Sequence, residues 1–250
     1  MDHFYVFSFK KRRRYFTLSL ILLLAAGFFI FQSSILGSNA SDDVALTRGS
    51  VEEPNIALTF NISWGEEKVH DILDALAKEE VQATFFLSGE WAERHPIIVE
   101  EITEGGHEIG ILGYRYKSYV EQDLEEVRRD LFLAQEAFEK LGFEDINLLR
   151  TPSGRFNEEI LDLAESMGFE VVHWNINPND WKNPGTENIV NVVMNDTTNG
   201  DIILLHASDR VKQTAAALET ILPGLKGKGL NFVPISELIS QAHADIELVE

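Results

Sequence analysis

Reactive side chains recur at the ends of five of the predicted strands. Each strand is a short apolar or β-branched run, and Arg, Asp, Trp and His follow at these ends. In parallel α/β folds the loops after the strands gather at one edge, where reactive groups meet. The pattern therefore predicts a cleft with titratable and aromatic side chains. Its five segments are residues 59–65, 106–116, 150–154, 174–181 and 204–206.

The elements that must position these side chains alternate between strand and helix patterns. The clearest helix pattern, between residues 124 and 141, repeats apolar residues at spacings of three and four and so turns one stripe toward a core. Such alternation over about 190 residues indicates one parallel-sheet α/β domain, either doubly wound or closed into a barrel. The predicted strands are residues 56–61, 82–88, 107–110, 146–150, 170–176, 201–206 and 231–235.

Helix boundaries are predicted from proline, capping residues and glycine. Proline suits the first turn of a helix, small polar residues cap its start, and glycine often follows its end. The predicted starts and ends are Pro96 with Gly105-Gly106, Asn157 with Gly168, Thr186 with an end near Gly200, and Asp209 with an end near Gly227.

The N-terminal residues predict a membrane segment. Residues 1–14 include five Lys and Arg residues, and residues 15–36 carry no charge. Roughly 22 such residues would reach about 33 Å as a helix, against a hydrocarbon core of about 30 Å. The positive-inside rule leaves the basic end in the cytoplasm and exports the rest. We expect residues 15–36 to be an uncleaved anchor, with a cleaved signal as the alternative because residues 38–40 are small or polar.

The exported part is predicted to be one domain on a short tether. Residues 37–53 are polar and without periodicity, which predicts a linker, and residues 54–243 carry the alternating elements. Residues 244–250 are expected to be a tail. The domain is therefore predicted to lie outside the cytoplasm, either anchored to the membrane or secreted.

Composition excludes two classes of function. The formal charge is −20, from 41 acidic and 21 basic residues, and five of the basic residues precede the apolar run. So acidic a domain repels nucleic acid and anionic wall polymers at long range, and no nucleic-acid partner is expected. The chain has no cysteine, so neither disulfides nor thiolate chemistry is available.

The strand-end segments resemble the five motifs of the polysaccharide deacetylases, the NodB-homology domain of carbohydrate esterase family 4. The matching stretches are TFNISWGEE, GHEIGILGYRYKSY, LLRTPSGRFN, VHWNINPNDWKNPG and GDIILLHASD. They run in order from about residue 57 to 239 and are most similar to sporulation-type members. The resemblance implies a distorted (β/α) barrel of about seven strands, with a groove over the strand ends, in the envelope of a sporulating bacterium.

The family's metal and base positions are substituted in this sequence. The resemblance implies that an Asp-His-His triad holds a divalent metal such as zinc, while a separate Asp acts as general base. The base position is Asn61, the metal carboxylate position is Ile62, and the two metal histidines fall at Leu112 and Tyr116. Ile and Leu offer no ligand atom and neutral Tyr is a poor one, so no metal cofactor is expected.

The acid side of the family site is retained. His206 matches the histidine that protonates the leaving amine, and Asp180 matches the carboxylate that orients it. Arg150 matches the arginine that would pair with the base, but Asn61 offers it no anion.

Three further positions are assigned to substrate binding by the same resemblance. Trp181 and Leu204 match groove-lining positions, and Tyr116 is expected beside them. The implied partner is cell-wall glycan, specifically the N-acetylated amino sugars of peptidoglycan.

The substitutions decide how much activity to expect. A general base is worth about 10²–10⁴-fold and metal polarisation several kcal/mol, so losing both removes roughly 10⁵-fold or more. The sequence therefore predicts a polysaccharide deacetylase family protein whose hydrolysis of N-acetyl groups is weak or lost. One alternative is a non-catalytic module that binds glycan or a partner. Another is a replacement site formed by Glu66 or Glu67 with Tyr116.

Overall fold

Seven short strands and eight α-helices alternate along the part of the chain that the structure describes. The computed structural model describes residues 45–247, with side chains for residues 45–241. The strands are β1 (Asn55–Ile62), β2 (Thr84–Leu87), β3 (Glu108–Ile111), β4 (Leu148–Leu149), β5 (Glu170–Val171), β6 (Ile202–His206) and β7 (Asn231–Phe232). The helices are α1 (Lys68–Lys78), α2 (Gly89–Arg94), α3 (Pro96–Glu104), α4 (Leu124–Lys140), α5 (Glu158–Ser166), α6 (Thr186–Asp196), α7 (Thr214–Gly227) and α8 (Ile235–Glu247).

The predicted basic segment and membrane segment, residues 1–14 and 15–36, lie outside the described residues, as do residues 37–44 of the linker and the end of the tail. Within residues 45–247, none of the helices combines the length and apolar character that a bilayer span requires.

The sheet is parallel and curved. Its strand order is β5-β4-β3-β2-β1-β6, and β7 pairs with the first two residues of β1. Beyond β5 the chain returns to the opposite edge, where Ile176 forms a parallel bridge with Ile203 of β6. The predicted barrel is thus observed as a half-barrel of six parallel strands with a small seventh. It is distorted because β4, β5 and β7 are only two residues long each.

Strict alternation along β1 separates two apolar layers. Ile56, Leu58, Phe60 and Ile62 pack in the layer shared with the helices. Ala57 packs instead in a smaller interior cluster with residues of β2, β4 and β6 and with α8. Because successive side chains point to opposite faces of a strand, Thr59 and Asn61 fall on the interior side with Ala57.

The described end of the predicted linker is paired with the domain. Leu46 forms a parallel bridge with Val172, and Arg48 an antiparallel one with Asp201. The Arg48 guanidinium lies 2.8 Å from the Asp201 carboxylate. Residues 45–48 therefore form an edge of the domain.

Two of the four predicted helix starts are confirmed, and two are wrong. Asn157 caps α5 through the Ile160 N–H, and Pro96 is the first residue of α3, both as predicted. Thr186 is the first residue of α6 rather than its cap, and Gly185 precedes it with φ 105°. Asp209 does not cap the helix that follows it, since α7 begins at Thr214.

Asp209 caps α1 instead, from a loop more than 140 residues away. Its carboxylate accepts hydrogen bonds from the backbone N–H groups of Glu66, Glu67 and Lys68, at 3.1, 2.8 and 2.9 Å. Gly65 allows this approach, because a Cβ there would lie 2.3 Å from the Asp209 carboxyl carbon, and its φ is 86°. Partial burial alone would raise the pKa of Asp209, but the three N–H groups together lower it.

We expect Asp209→Ala to lower the free energy of unfolding by about 1–2 kcal/mol, because a helix cap is lost. Asp209→Asn keeps an acceptor oxygen and is expected to lose less. The carboxylate contribution is present above the unfolded-state pKa of about 3.9 and is lost as the pH falls through the lower folded-state pKa. Urea unfolding at pH 7 and pH 3 measures both effects, and equal values for the Ala variant and the wild type at pH 7 would exclude the cap.

Candidate functional site

A groove of about 740 Å³ lies over the carboxyl ends of the strands. It gathers residues from all five segments singled out in the sequence, including Ser153 from the loop that follows β4. No Asp or Glu is among the described residues that line it. The residues that matter most for its chemistry are Asn61, Trp64, Tyr116, Trp181, Leu204 and His206.

Strand register places Asn61 beside His206. These residues are direct partners in the parallel pairing of β1 with β6, and Thr59 pairs with Leu204 two residues earlier. Paired residues of neighbouring strands point to the same face. The base position and the acid position of the sequence prediction therefore meet at one point of the groove.

Asp180 holds His206 in place. The carboxylate is buried and lies 2.8 Å from His206 Nδ1. It also accepts hydrogen bonds from the His206 and Trp181 backbone N–H groups and from the Thr214 hydroxyl, at 2.8, 2.9 and 2.8 Å. The chain reaches this position through Asn179, whose left-handed φ of 56° reverses the backbone just before Asp180.

The Asp180 contact fixes which nitrogen of His206 faces the ligand. A carboxylate only accepts hydrogen bonds, so Nδ1 must carry the proton. In the neutral ring Nε2 then presents a lone pair, and in the charged ring it presents a donor. His206 is mostly buried but lines the groove, so Nε2 is the atom available there.

Arg150 is a buried cation below the groove. Its guanidinium donates to Thr59 Oγ1 at 2.9 Å, to Asn61 Oδ1 at 3.0 Å, and to the carbonyl oxygens of Val172 and His173 at 3.2 and 2.9 Å. Burial lowers the pKa of Arg150 to about 9, so the group remains charged at neutral pH. Among the described residues, its hydrogen-bond acceptors are all neutral.

Two aromatic rings enclose the same guanidinium. It lies 4.0 Å from the ring centre of Phe86 and 5.4 Å from that of Trp174. Such cation–π contacts are strongest where the cation is desolvated. They help to explain how a charge is tolerated in the interior without a carboxylate beside it.

Arg150 also sets the orientation of the Asn61 amide. A guanidinium only donates, so the Asn61 oxygen must face it. The Asn61 NH₂ group then points away from Arg150, and Asn61 is a groove-lining residue that is only 5% exposed. At the base position the groove is therefore offered a hydrogen-bond donor in place of a proton acceptor.

The three metal-ligand positions do not fit a metal ion. Ile62 is buried in the outer apolar layer, and Leu112 is buried in the interior cluster. Tyr116 is about half exposed in the groove, and burial of its ring raises the pKa of its phenol, which keeps it neutral. Elsewhere in the described chain, no three His, Asp, Glu or Cys side chains are grouped in a way that could hold a metal.

The predicted replacement carboxylates do not join Tyr116 in the groove. Glu66 lies 3.5 Å from His95 Nε2 and lines a separate surface depression beside α3. Glu67 is the residue immediately before α1. Neither lines the groove, so the structure does not bring the proposed replacement site together.

Three exposed aromatic side chains form the rim of the groove, around a floor that includes Asn61 and His206. Trp64, Tyr116 and Trp181 are 57%, 48% and 51% exposed, among the most exposed large apolar side chains of the described chain. Arg210 lies 5.7 Å from the Trp64 ring and Lys182 lies 4.8 Å from the Trp181 ring. Such rings can stack on the apolar face of a sugar.

The sequence prediction missed part of this rim. The sequence assigns Trp181 to substrate binding, and it places Trp64 and Trp174 in the predicted cleft segments without giving them a role. Arg210 is not singled out by the sequence, yet it lines the groove. The position of Trp64 three residues after Asn61 was a usable signal, since the chain leaves β1 there. Arg210 carried no such signal, because only the fold brings its loop back to Trp64. The fourth tryptophan, Trp91, is buried in the core and does not line the groove.

We expect Asp180→Asn to lower the free energy of unfolding by about 2–4 kcal/mol, because an amide has one acceptor oxygen for four buried donors. Thr214→Val removes a single donor and is expected to cost about 1 kcal/mol. Urea unfolding gives both values, and ¹⁵N NMR of the imidazole reports whether Nδ1 of His206 carries the proton in the wild type. Equal costs for the two variants, or a wild-type proton on Nε2 alone, would contradict this geometry.

Known proteins are similar to this chain in sequence and in fold. The family model described as polysaccharide deacetylase matches residues 48–172, so the segments that carry Asp180 and His206 lie beyond it. A peptidoglycan-N-acetylglucosamine deacetylase of Bacillus cereus is 38% identical over 202 residues, which cover 77% of this chain and 93% of that protein.

Solved structures include a protein described as a pseudoenzyme of the same family. The crystal structure of a carbohydrate esterase family 4 pseudoenzyme from Bacillus anthracis has a TM-score of 0.75 and 28% identity. The match covers 80% of this chain and 70% of that one. A mutant of the same protein, with the same TM-score and identity, is described as having restored enzymatic activity. On the extent of these matches, the chain belongs to the polysaccharide deacetylase family.

Proposed function

We propose that this protein is a non-catalytic member of the polysaccharide deacetylase family that binds peptidoglycan glycan through its groove. The observation that carries the proposal is the orientation of Asn61. Arg150 holds the amide oxygen, at 3.0 Å, so the base position presents NH₂ to a ligand. An NH₂ group cannot take a proton from water, whereas it can donate a hydrogen bond to a sugar oxygen.

The energetic cost of the substitutions supports the same proposal. General-base assistance is worth about 10²–10⁴-fold, and metal polarisation several kcal/mol. Without both contributions the rate falls by roughly 10⁵-fold or more, since each 1.36 kcal/mol is tenfold. The buried apolar side chains Ile62 and Leu112 offer no ligand from which a metal site could be rebuilt.

The ligand class comes from the relatives. The Bacillus cereus relative is named for peptidoglycan N-acetylglucosamine, and we extend that glycan to this chain as its ligand. The exposed rings of Trp64 and Trp181 suit stacking against sugar, and the donors at Asn61 and the rim suit its oxygens. These features bind a glycan without requiring its hydrolysis.

The cellular setting of this proposal rests on sequence resemblance. We place the domain outside the cytoplasm, tethered beside the cell wall by residues 15–36. The strand-end motifs resemble the sporulation-type deacetylase PdaB, so the proposed setting is the envelope of a sporulating bacterium. Fluorescent fusions imaged through sporulation test this placement, and a uniformly cytoplasmic signal would contradict it.

A second candidate is a weak hydrolase. The retained contact of 2.8 Å between His206 and Asp180 favours it, because this is the pair that would protonate a leaving amine. In this reading, acetate release would be slow and would depend on His206. The His206→Ala variant therefore separates the two candidates.

We expect the purified full-length chain in mild detergent to bind N-acetylglucosamine oligomers without releasing acetate, with or without added zinc. Trp181→Ala should weaken binding at least about fivefold, because truncating an aromatic anchor costs about 1 kcal/mol or more. Phe132→Ala is the matched control, since Phe132 is an aromatic residue that is similarly exposed but lies on α4. Calorimetry and an acetate assay measure both properties. Acetate release that disappears in His206→Ala would favour the hydrolase, and no binding at all would refute the proposed function.

We expect a chain with all four family residues restored, Asn61→Asp, Ile62→Asp, Leu112→His and Tyr116→His, to gain zinc-dependent acetate release. The gain should be at least about 100-fold over the wild type, because base and metal assistance return together. Asn61→Asp alone is the control and should remain inactive, since it restores no metal ligand. If the wild type and the fourfold variant release acetate equally, the substitutions are not what limits the activity.

A further inference from the structure

The groove carries positive charge on a strongly acidic protein. The chain has 41 acidic and 21 basic residues, yet no Asp or Glu is among the described residues that line the groove. The two carboxylates nearest to it in sequence are already occupied. Asp180 accepts hydrogen bonds from four donors below the floor, and Asp209 caps α1.

The cation beneath the floor has neutral partners. Arg150 is fully buried, and the acceptors around it are one hydroxyl, one amide and two backbone carbonyls. A buried charge usually has an anionic partner. The missing anion can come from a ligand in the groove, since the field of a buried cation is screened less than that of a surface charge.

Asn61 lies between Arg150 and the groove and contacts both. Its oxygen is held by Arg150, its NH₂ points to the groove, and none of the hydrogen bonds found in the described chain uses this NH₂ group. His206 lies directly beside it in the strand register. A ligand oxygen between the two side chains would accept a hydrogen bond from the Asn61 NH₂ and, in the charged form of the His206 ring, a second one from Nε2.

A neutral carbonyl oxygen and a carboxylate would both accept from Asn61. The carboxylate gains more, because hydrogen bonds to an ionised acceptor are roughly twice as strong. It also interacts with the charge of Arg150, and Arg210 on the rim adds a second cation at the Trp64 ring. The Asp180 carboxylate behind His206 has its charge engaged by four hydrogen-bond donors. The remaining charges at the groove, those of Arg150 and Arg210, favour an anion over a neutral amide.

We propose that the groove floor formed by Asn61, His206 and the buried Arg150 is a carboxylate-binding site, so that the ligand is a glycan with a carboxylate-bearing sugar. This inference rests on the proposed function and narrows its ligand class. A sugar with a lactyl ether or a uronic acid has the required group. Trp64 and Trp181 then stack on the sugars while the floor binds the carboxylate.

The test compares three probes by calorimetry on the full-length chain. They are a disaccharide of N-acetylglucosamine and N-acetylmuramic acid, the same disaccharide with its carboxylate converted to a carboxamide, and a neutral N-acetylglucosamine oligomer. We expect the carboxylate to bind at least about tenfold more tightly than the carboxamide, which corresponds to about 1.4 kcal/mol. The difference should shrink as salt is raised.

Asn61→Asp places a carboxylate against Arg150 and should bring the preference for the carboxylate probe to within about twofold, because the site then has its own anion. Asn177→Asp is the matched control. It adds the same charge to the groove lining, but its side chain bonds the Asn179 N–H and not Arg150. This control should retain most of the preference.

The outcomes separate the two proposals. Equal affinity of the wild type for carboxylate and carboxamide overturns the carboxylate site while leaving glycan binding intact. An equal loss of preference in Asn61→Asp and Asn177→Asp overturns the role of Arg150. Failure of all three probes to bind removes the proposed function itself. The wild-type comparison needs no variant, so it decides the inference even if Asn61→Asp fails to fold.

Discussion

The buried guanidinium of Arg150 is the interaction on which the site depends. It connects the end of β4, which it directly follows, to β1 and to the chain after β5. Interior cations are costly unless they are hydrogen-bonded, and four acceptors and two aromatic rings satisfy this one. Its direction also fixes the neighbouring Asn61 amide. A substitution at the floor of this groove therefore changes the hydrogen bonds that stabilise this buried charge.

An amide in place of a carboxylate at position 61 changes what the groove offers to a ligand, because Arg150 lies beside it. Beside a guanidinium, an Asp at position 61 would be an anion with free lone pairs. Asn61 gives its oxygen to Arg150 and turns its NH₂ outward. The same backbone position therefore offers a donor where the family chemistry requires an acceptor. Ile62 and Leu112, two positions that the resemblance assigns to metal ligands, are buried in two different apolar clusters and contribute packing and no ligand atoms.

The His206–Asp180 pair, to which the resemblance assigns the acid role, is held in place by structural contacts. Asp180 links β6, the turn after Asn179 and the start of α7 through four hydrogen bonds. Loss of catalysis would not release this carboxylate from its donors, because a buried donor without an acceptor is destabilising. A retained His206–Asp180 pair is therefore weak evidence for turnover. The groove instead combines donors, cations and exposed rings, which suits binding.

A large part of this protein could be predicted from its sequence. All seven strands occur where β-rich runs indicated them, because a parallel sheet buried on both faces leaves a strong apolar signal. Those runs overestimated the length of β4, β5 and β7, since pairing ends where the sheet curves away, and no local pattern encodes that. The strand-end residues Asn61, Arg150, Asp180 and His206 were likewise visible as a set, because the topology of parallel strands brings such ends to one edge.

Tertiary structure alone decided what these residues do. The sequence placed Asp209 at the start of the nearest helix, whereas the fold uses it to cap α1, since a cap needs only a carboxylate within reach of free N–H groups. Trp64 and Arg210 meet at the rim although 146 positions separate them. The sequence determined that position 61 is an amide rather than a carboxylate. Which end of that amide faces the groove depends on a guanidinium from another strand, and only the packed interior brings the two together.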